Sequence, residues 1–125
     1  MTVIDEAVRS ILAANTEVSA LVGTRIYPAV LPLDCALPAL SYSKISNAYK
    51  QIAGVPRFQI SCWTEDYLQC QTLKQAVETA LDGYSGTVSG IEIIRIIPLS
   101  APDFYESETG VYHIPYDFKI IYRKS

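Results

Sequence analysis

Residues 111–123, VYHIPYDFKIIYR, place Tyr112, Ile114, Tyr116, Phe118, Ile120 and Tyr122 at every second position. Successive side chains of an extended backbone point to opposite faces. The six therefore share one apolar face, and His113, Asp117, Lys119 and Arg123 share the other. A long run of period two predicts a strand with one side against a core and one side toward water. Upstream, residues 57–63 (RFQISCW) repeat the pattern, with Phe58, Ile60 and Cys62 on one face and Arg57, Gln59 and Ser61 on the other. Residues 91–97 (IEIIRII) are a dense β-branched run that stops at Pro98, which predicts a buried strand. Within 39–46 the alternation is looser, with Leu40 and Tyr42 on one face, and a fourth strand is expected there.

The helical signals lie between and before these strands. Ile4, Val8, Ile11 and Leu12 recur at helical spacing after Thr2 and Asp5, which resemble a capping box, and predict a helix over 3–14. Asn15 and Thr16 restart a short helical turn through Val18 and Leu21 that Gly23 closes. Cys70, Leu73, Val77, Ala80 and Leu81 form the stripe of a further helix, with Thr64 as its expected N-cap, Glu65 and Asp66 in its first turn and Gly83 at its end. Residues 29–38 and 98–110 carry prolines, glycines and polar side chains without a period and are expected to be irregular, and 47–56, with a Gly and a Pro, is expected to be a loop or a hairpin tip. The sum is one α+β domain over 1–125, ordered α-α-β-β-α-β-β. An antiparallel sheet of about four strands is expected, with helices packed on one face.

Bulk composition excludes several function classes. Half of the 125 residues are hydrophobic, too many for a disordered chain. The formal charge is -3 and no basic run exceeds two residues, so tight nucleic-acid binding is not expected. No apolar run approaches the ~18 residues of a membrane span, and the N-terminus does not resemble a leader, which together predict a cytoplasmic chain without membrane contact. The three cysteines form no CxxC pair, and Cys62 and Cys70 are expected as small core residues.

Reactive constellations are equally sparse. His113 is the sole histidine and falls on the polar face of its strand, so it is expected to be exposed, and His113→Ala a near-neutral surface change. Cys35 and Ser41 cannot be paired with it from sequence. Four scattered Cys and His residues do not have the spacing of a zinc site. Residues 103–108 (DFYESE) lack the alternating ligands and turn glycine of a calcium loop. Neither glycine-rich phosphate motif is present. No catalytic residue, metal or cofactor is assigned, and the chain is not expected to be an enzyme. Adhesion remains: residues 47–56 and 98–110 offer Tyr49, Lys50, Ile52, Phe104 and Tyr105 as a candidate subunit or partner interface.

Four segments in this order and spacing, EVSALVGTRIYP (17–28), LPALSYSKIS (37–46), FQISCWTED (58–66) and YDFKIIYR (116–123), resemble the phage tail completion family, also called tail terminator or tail-to-head joining proteins. The resemblance runs nearly end to end. It implies a structural virion protein made in the bacterial host cytoplasm, encoded by a phage or prophage, that forms a ring, usually a hexamer, at the head-proximal end of the tail. It implies the tail tube protein and the head-tail connector as partners, with DNA passing through the ring without being held tightly. The competing reading is a small dimeric ligand-binding or regulatory α+β module, which would need a concave pocket with converging polar groups.

Overall fold

The computed structural model describes the backbone of residues 4–49 and 53–124, and the side chains of these except 46–55 and 124. Helix α1 spans Ile4–Ala14 and buries Ile4, Ala7, Val8, Ile11 and Leu12, the stripe the spacing predicts. Helix α2 spans Thr16–Val22; the Asn15 side chain accepts the N–H groups of Glu17 and Val18 at 3.0 Å each, which satisfies two donors the helix start would otherwise leave unpaired. Gly23 closes it at φ 60°, where its N–H reaches the Ser19 carbonyl at 2.8 Å.

Strand β1 (Ile26–Pro28) follows, then β2 (Ala39–Tyr49), β3 (Ala53–Thr64), helix α3 (Tyr67–Leu81), β4 (Gly86–Val88), β5 (Ile91–Ser100), β6 (Phe104–Glu106) and β7 (Val111–Lys124). They form one seven-stranded sheet of order β1-β2-β3-β7-β5-β4, with β6 paired to β7 beyond the end of β5. All pairs are antiparallel except β1 with β2.

This architecture overturns the expected antiparallel sheet of about four strands with helices on one face. Three strands of three residues each, β1, β4 and β6, are too short to show an alternation. The parallel β1–β2 pair is joined through residues 29–38, and nothing local in the sequence encodes that register. The sheet also curls into a half-barrel. Helix α1 therefore touches both β2 and β4, which lie toward opposite sides of the strand order, while α3 packs on β3, β5 and β7.

The described residues of 47–56, expected as a loop or a hairpin tip, belong to a hairpin, and the start of 98–110, expected to be irregular, is partly ladder. β2 and β3 continue pairing past Ser46 to Tyr49↔Gly54, and β5 runs on through Pro98 to Ser100. Backbone hydrogen bonding to a neighbour extends a strand where side-chain pattern has already faded. Thr64 likewise stays in β3, its hydroxyl donating to the Asp66 carbonyl at 2.7 Å. The N-cap of α3 is therefore Asp66, which accepts the Gln69 N–H at 2.9 Å, rather than Thr64.

β7 is the axis of the core. Ile114, Tyr116, Phe118, Ile120 and Tyr122 are buried, and Phe118 stands opposite Phe58 of β3 while Ile120 stands opposite Ile96 of β5. Pro115 sits where β7 passes from β6 to β5, between the rows of His113 and Asp117, a gap in which a residue without an N–H is tolerated inside a sheet. In the 91–97 run only Ile91, Ile93 and Ile96 are buried. Ile94 faces outward by alternation from Ile93, and a register shift between Ile93 and Arg95 then leaves Arg95 outward and turns Ile96 inward, so the run is not buried throughout.

Candidate interaction surfaces

Three groups of side chains outside the core define the surfaces. The first is on the polar face of the sheet. Asp117 is buried, and its carboxylate accepts from Arg57 Nη2 and, at 3.0 Å, from Gln59 Nε2 on the neighbouring strand. Its register partner is Gln59, so the strand pairing brings the three together. A buried carboxylate with two donors, one of them charged, holds β3 to β7.

The second group is aromatic. Trp63 and His113 are register partners across β3 and β7, and their rings stack with centroids 3.7 Å apart and planes 7° from parallel. The Trp63 indole N–H donates to Ser41 Oγ at 3.0 Å, and Phe104 of β6 lies 6.2 Å from His113 on the other side. The row runs from β2 to β6 across the polar face. His113 is thus not the exposed strand residue expected from sequence: its Nε2 is buried without a hydrogen-bond partner. Ser41 is occupied by Trp63, whose ring lies against His113, so the two do not form a hydrogen-bonded nucleophile and base.

Burial lowers the His113 pKa below its usual value, opposed by the nearby Glu106 carboxylate. The unfolded chain takes up a proton at this histidine as pH falls through about 6.5, and the folded chain resists until lower pH. The stability gained from a neutral, stacked His113 is therefore complete above about pH 6.5 and declines as pH falls from there toward the depressed folded value. Because this is the only histidine, chemical denaturation between about pH 5 and 7.5 should show that slope, and His113→Phe should remove it. An unchanged slope in the variant would show that the slope does not come from His113. His113→Ala should cost about 1 kcal/mol through loss of the stack, more than a surface change.

The third group caps the end of the sheet where β7 begins. Tyr67 of α3 meets Tyr112 edge-on at 5.7 Å, and Tyr105 of β6 meets Tyr112 at 4.7 Å. Phe104 and Tyr105, two of the residues the sequence nominates for an interface, are here and exposed, on opposite faces of β6. Lys50 and Ile52 lie outside the described residues, as does the side chain of Tyr49; the backbone of Tyr49 is the last of β2, at the other end of the sheet. The sequence therefore nominated two surfaces, not one. Tyr67, and Leu68 exposed beside it, are missed in a sequence reading because they sit in the first turn of α3, outside the loops that drew attention.

The thiols of Cys62 and Cys70 are buried, and burial pushes both pKa values up, so both stay protonated and inert at neutral pH. Tyr116 donates to Glu78 Oε1 at 2.5 Å, which ties β7 to α3; burial and that carboxylate raise its pKa far above the usual tyrosine range. Among the described residues no group of three or more His, Cys, Asp or Glu side chains is placed to hold a metal, and no helix is long and apolar enough to cross a membrane.

Exposed aromatic rings at the end of a sheet whose outer strands cover only part of their neighbours are the features of an assembly subunit. The family model for tail completion protein gp17 matches residues 6–123, and the chain belongs to that family. Comparison with curated proteins gives no match. Among solved structures, a chain of the virion of a native gene transfer agent (GTA) particle is similar at 25% identity and a TM-score of 0.81, over 96% of this chain and 94% of that one. The chain is accordingly a structural protein of the virion tail, with a role in tail assembly.

Proposed function

We propose that this chain is a tail terminator: it forms a ring, of six subunits, at the head-proximal end of a phage tail, closes the tail tube and joins tail to head. The observation that carries this reading is the family match over 6–123, nearly the whole of the 125 residues. Similarity to a chain of a gene transfer agent virion supports it from the side of the fold. The tail tube protein meets one face of the ring and the head-tail connector the other. A formal charge of -3 suits a ring through which DNA passes without being retained, since tight binding to phosphates requires neutralising cations.

Particles made without the protein should contain heads filled with DNA and tails that are unjoined or of uncontrolled length. Electron microscopy decides this, and averaged images of the complete junction count the subunits. Normally joined virions in the absence of the chain would overturn the reading.

A further inference from the structure

Charge is divided along the strand direction. At the end where β7 begins, Glu65 and Asp66 precede α3, and Asp103, Glu106 and Glu108 surround β6; all five are exposed and none forms an ion pair among the described residues. No Lys or Arg occurs in 64–73 or 98–118. Arg25 at the same end belongs to the far edge beside β1, where the carbonyls of Pro38 and Leu21 hold its guanidinium. Within this acidic rim stand Tyr67, Leu68, Phe104 and Tyr105, exposed by 47, 72, 54 and 55%. A large apolar centre with a charged rim is the anatomy of a protein interface.

Toward the other end the polar face of the sheet is basic, with Glu78 and Asp82 on the α3 side at the same level. Register places Arg57 of β3 beside Lys119 of β7, Arg123 of β7 beside Glu92 of β5, and Arg95 of β5 beside Ile121. Arg95 and Lys119 are exposed and form no ion pair among the described residues. Ile94, outward by alternation from Ile93, adds an exposed apolar side chain there. Lys119 lies six residues along β7 from His113, about 20 Å of strand, and Arg95, beside Ile121, eight, about 26 Å.

We infer that the acidic aromatic end of one copy docks on the basic end of the next, through Tyr67, Leu68, Phe104 and Tyr105 on one side and Arg95 and Lys119 on the other. The inference rests on the ring reading and names its contact. A closed ring needs a heterologous interface, in which each subunit carries two different and complementary patches. Both are present on this chain, they lie apart along the strands, and their charges are opposite. Rim charges of this kind steer encounter and select the partner end more than they tighten the complex.

Sedimentation of the full chain tests it. Wild-type protein should associate with rising concentration, and about 0.5 M salt should weaken that association. A variant with Asp103→Lys, Glu106→Lys and Glu108→Lys and a second with Arg95→Glu and Lys119→Glu should each associate at least tenfold more weakly. Mixed together they should associate again, because the sound basic end of the first variant meets the sound acidic end of the second and the two reversed ends also carry opposite charges. Trp63 fluorescence verifies folding, and the milder Glu106→Gln and Lys119→Gln should weaken association in the same direction if a reversal unfolds the chain. Self-association of either reversed variant at wild-type strength, or a mixture that stays monomeric, overturns the contact while leaving the ring intact as a proposal. A wild-type chain that is monomeric to about 1 mM also overturns the contact, whereas the ring falls only if images of the tail end show none.

Discussion

Phe118→Ala should destabilise the fold by about 3–5 kcal/mol, the largest effect expected of any single truncation. Phe118 is fully buried in the central strand, stands opposite Phe58 on β3 and Pro98 on β5, and stacks on Tyr116 with ring centroids 4.2 Å apart. Removing the ring loses its transfer free energy and opens a cavity that a strand fixed by ladders on both sides cannot close. Since domains of this size have about 5–15 kcal/mol of stability in total, the variant should be near its unfolding threshold at physiological temperature. Urea unfolding followed by Trp63 fluorescence checks this, through a lowered midpoint with an unchanged slope. A loss under about 1.5 kcal/mol would mean that the β3–β7–β5 layer is not the core described.

Leu81→Ala should cost about 2–5 kcal/mol for a related reason. Leu81 is fully buried in the last turn of α3, and the chain leaves that turn with the Gly83 N–H bonded to the Ile96 carbonyl of β5 at 2.9 Å. The helix end is therefore held to the sheet by backbone as well as by packing, which limits how far it can settle into the space left by the leucine. Because α3 is tied to β7 also through Glu78 and Tyr116, little relaxation by rigid-body shift is available. A thermal melt ranks this variant against His113→Ala, and an equal or larger loss for His113→Ala would mean that the stack, not the helix, carries more of the stability.

Much of the fold is legible in local pattern. The alternation in 111–123 identifies β7 and its buried face, since a one-residue slip would expose the whole apolar set. The stripe Cys70, Leu73, Val77 and Leu81 identifies the buried face of α3, and Asn15 and Gly23 bracket α2 through ordinary capping chemistry. Errors fall where the deciding interaction is distant in sequence. Thr64 and Asp66 compete for one N-cap, and the choice depends on β7 extending the β3 ladder to Thr64↔Tyr112. His113 looks solvent-facing by parity alone. It is covered because Trp63 arrives opposite it and Phe104 beside it, neither of which period two can report.

The interface residues divide in the same way. Phe104 and Tyr105 are apolar residues in a polar, acidic stretch, a contrast visible in the sequence itself. That they join Tyr67 and Tyr112 on one end, about 20–30 Å along the strand from Arg95 and Lys119, depends on strand order and register. Sequence alone determined which side chains are apolar and which faces they share, because these follow from periods of 2 and 3.6 along one backbone, and the resemblance of four segments in order pointed to the family. Only the tertiary structure decided the seven-stranded mixed sheet, its curl around α1, and the separation of acidic from basic ends. Each of these is a pairing between segments whose contact is set by burial and ladder hydrogen bonds, not by neighbours in the chain.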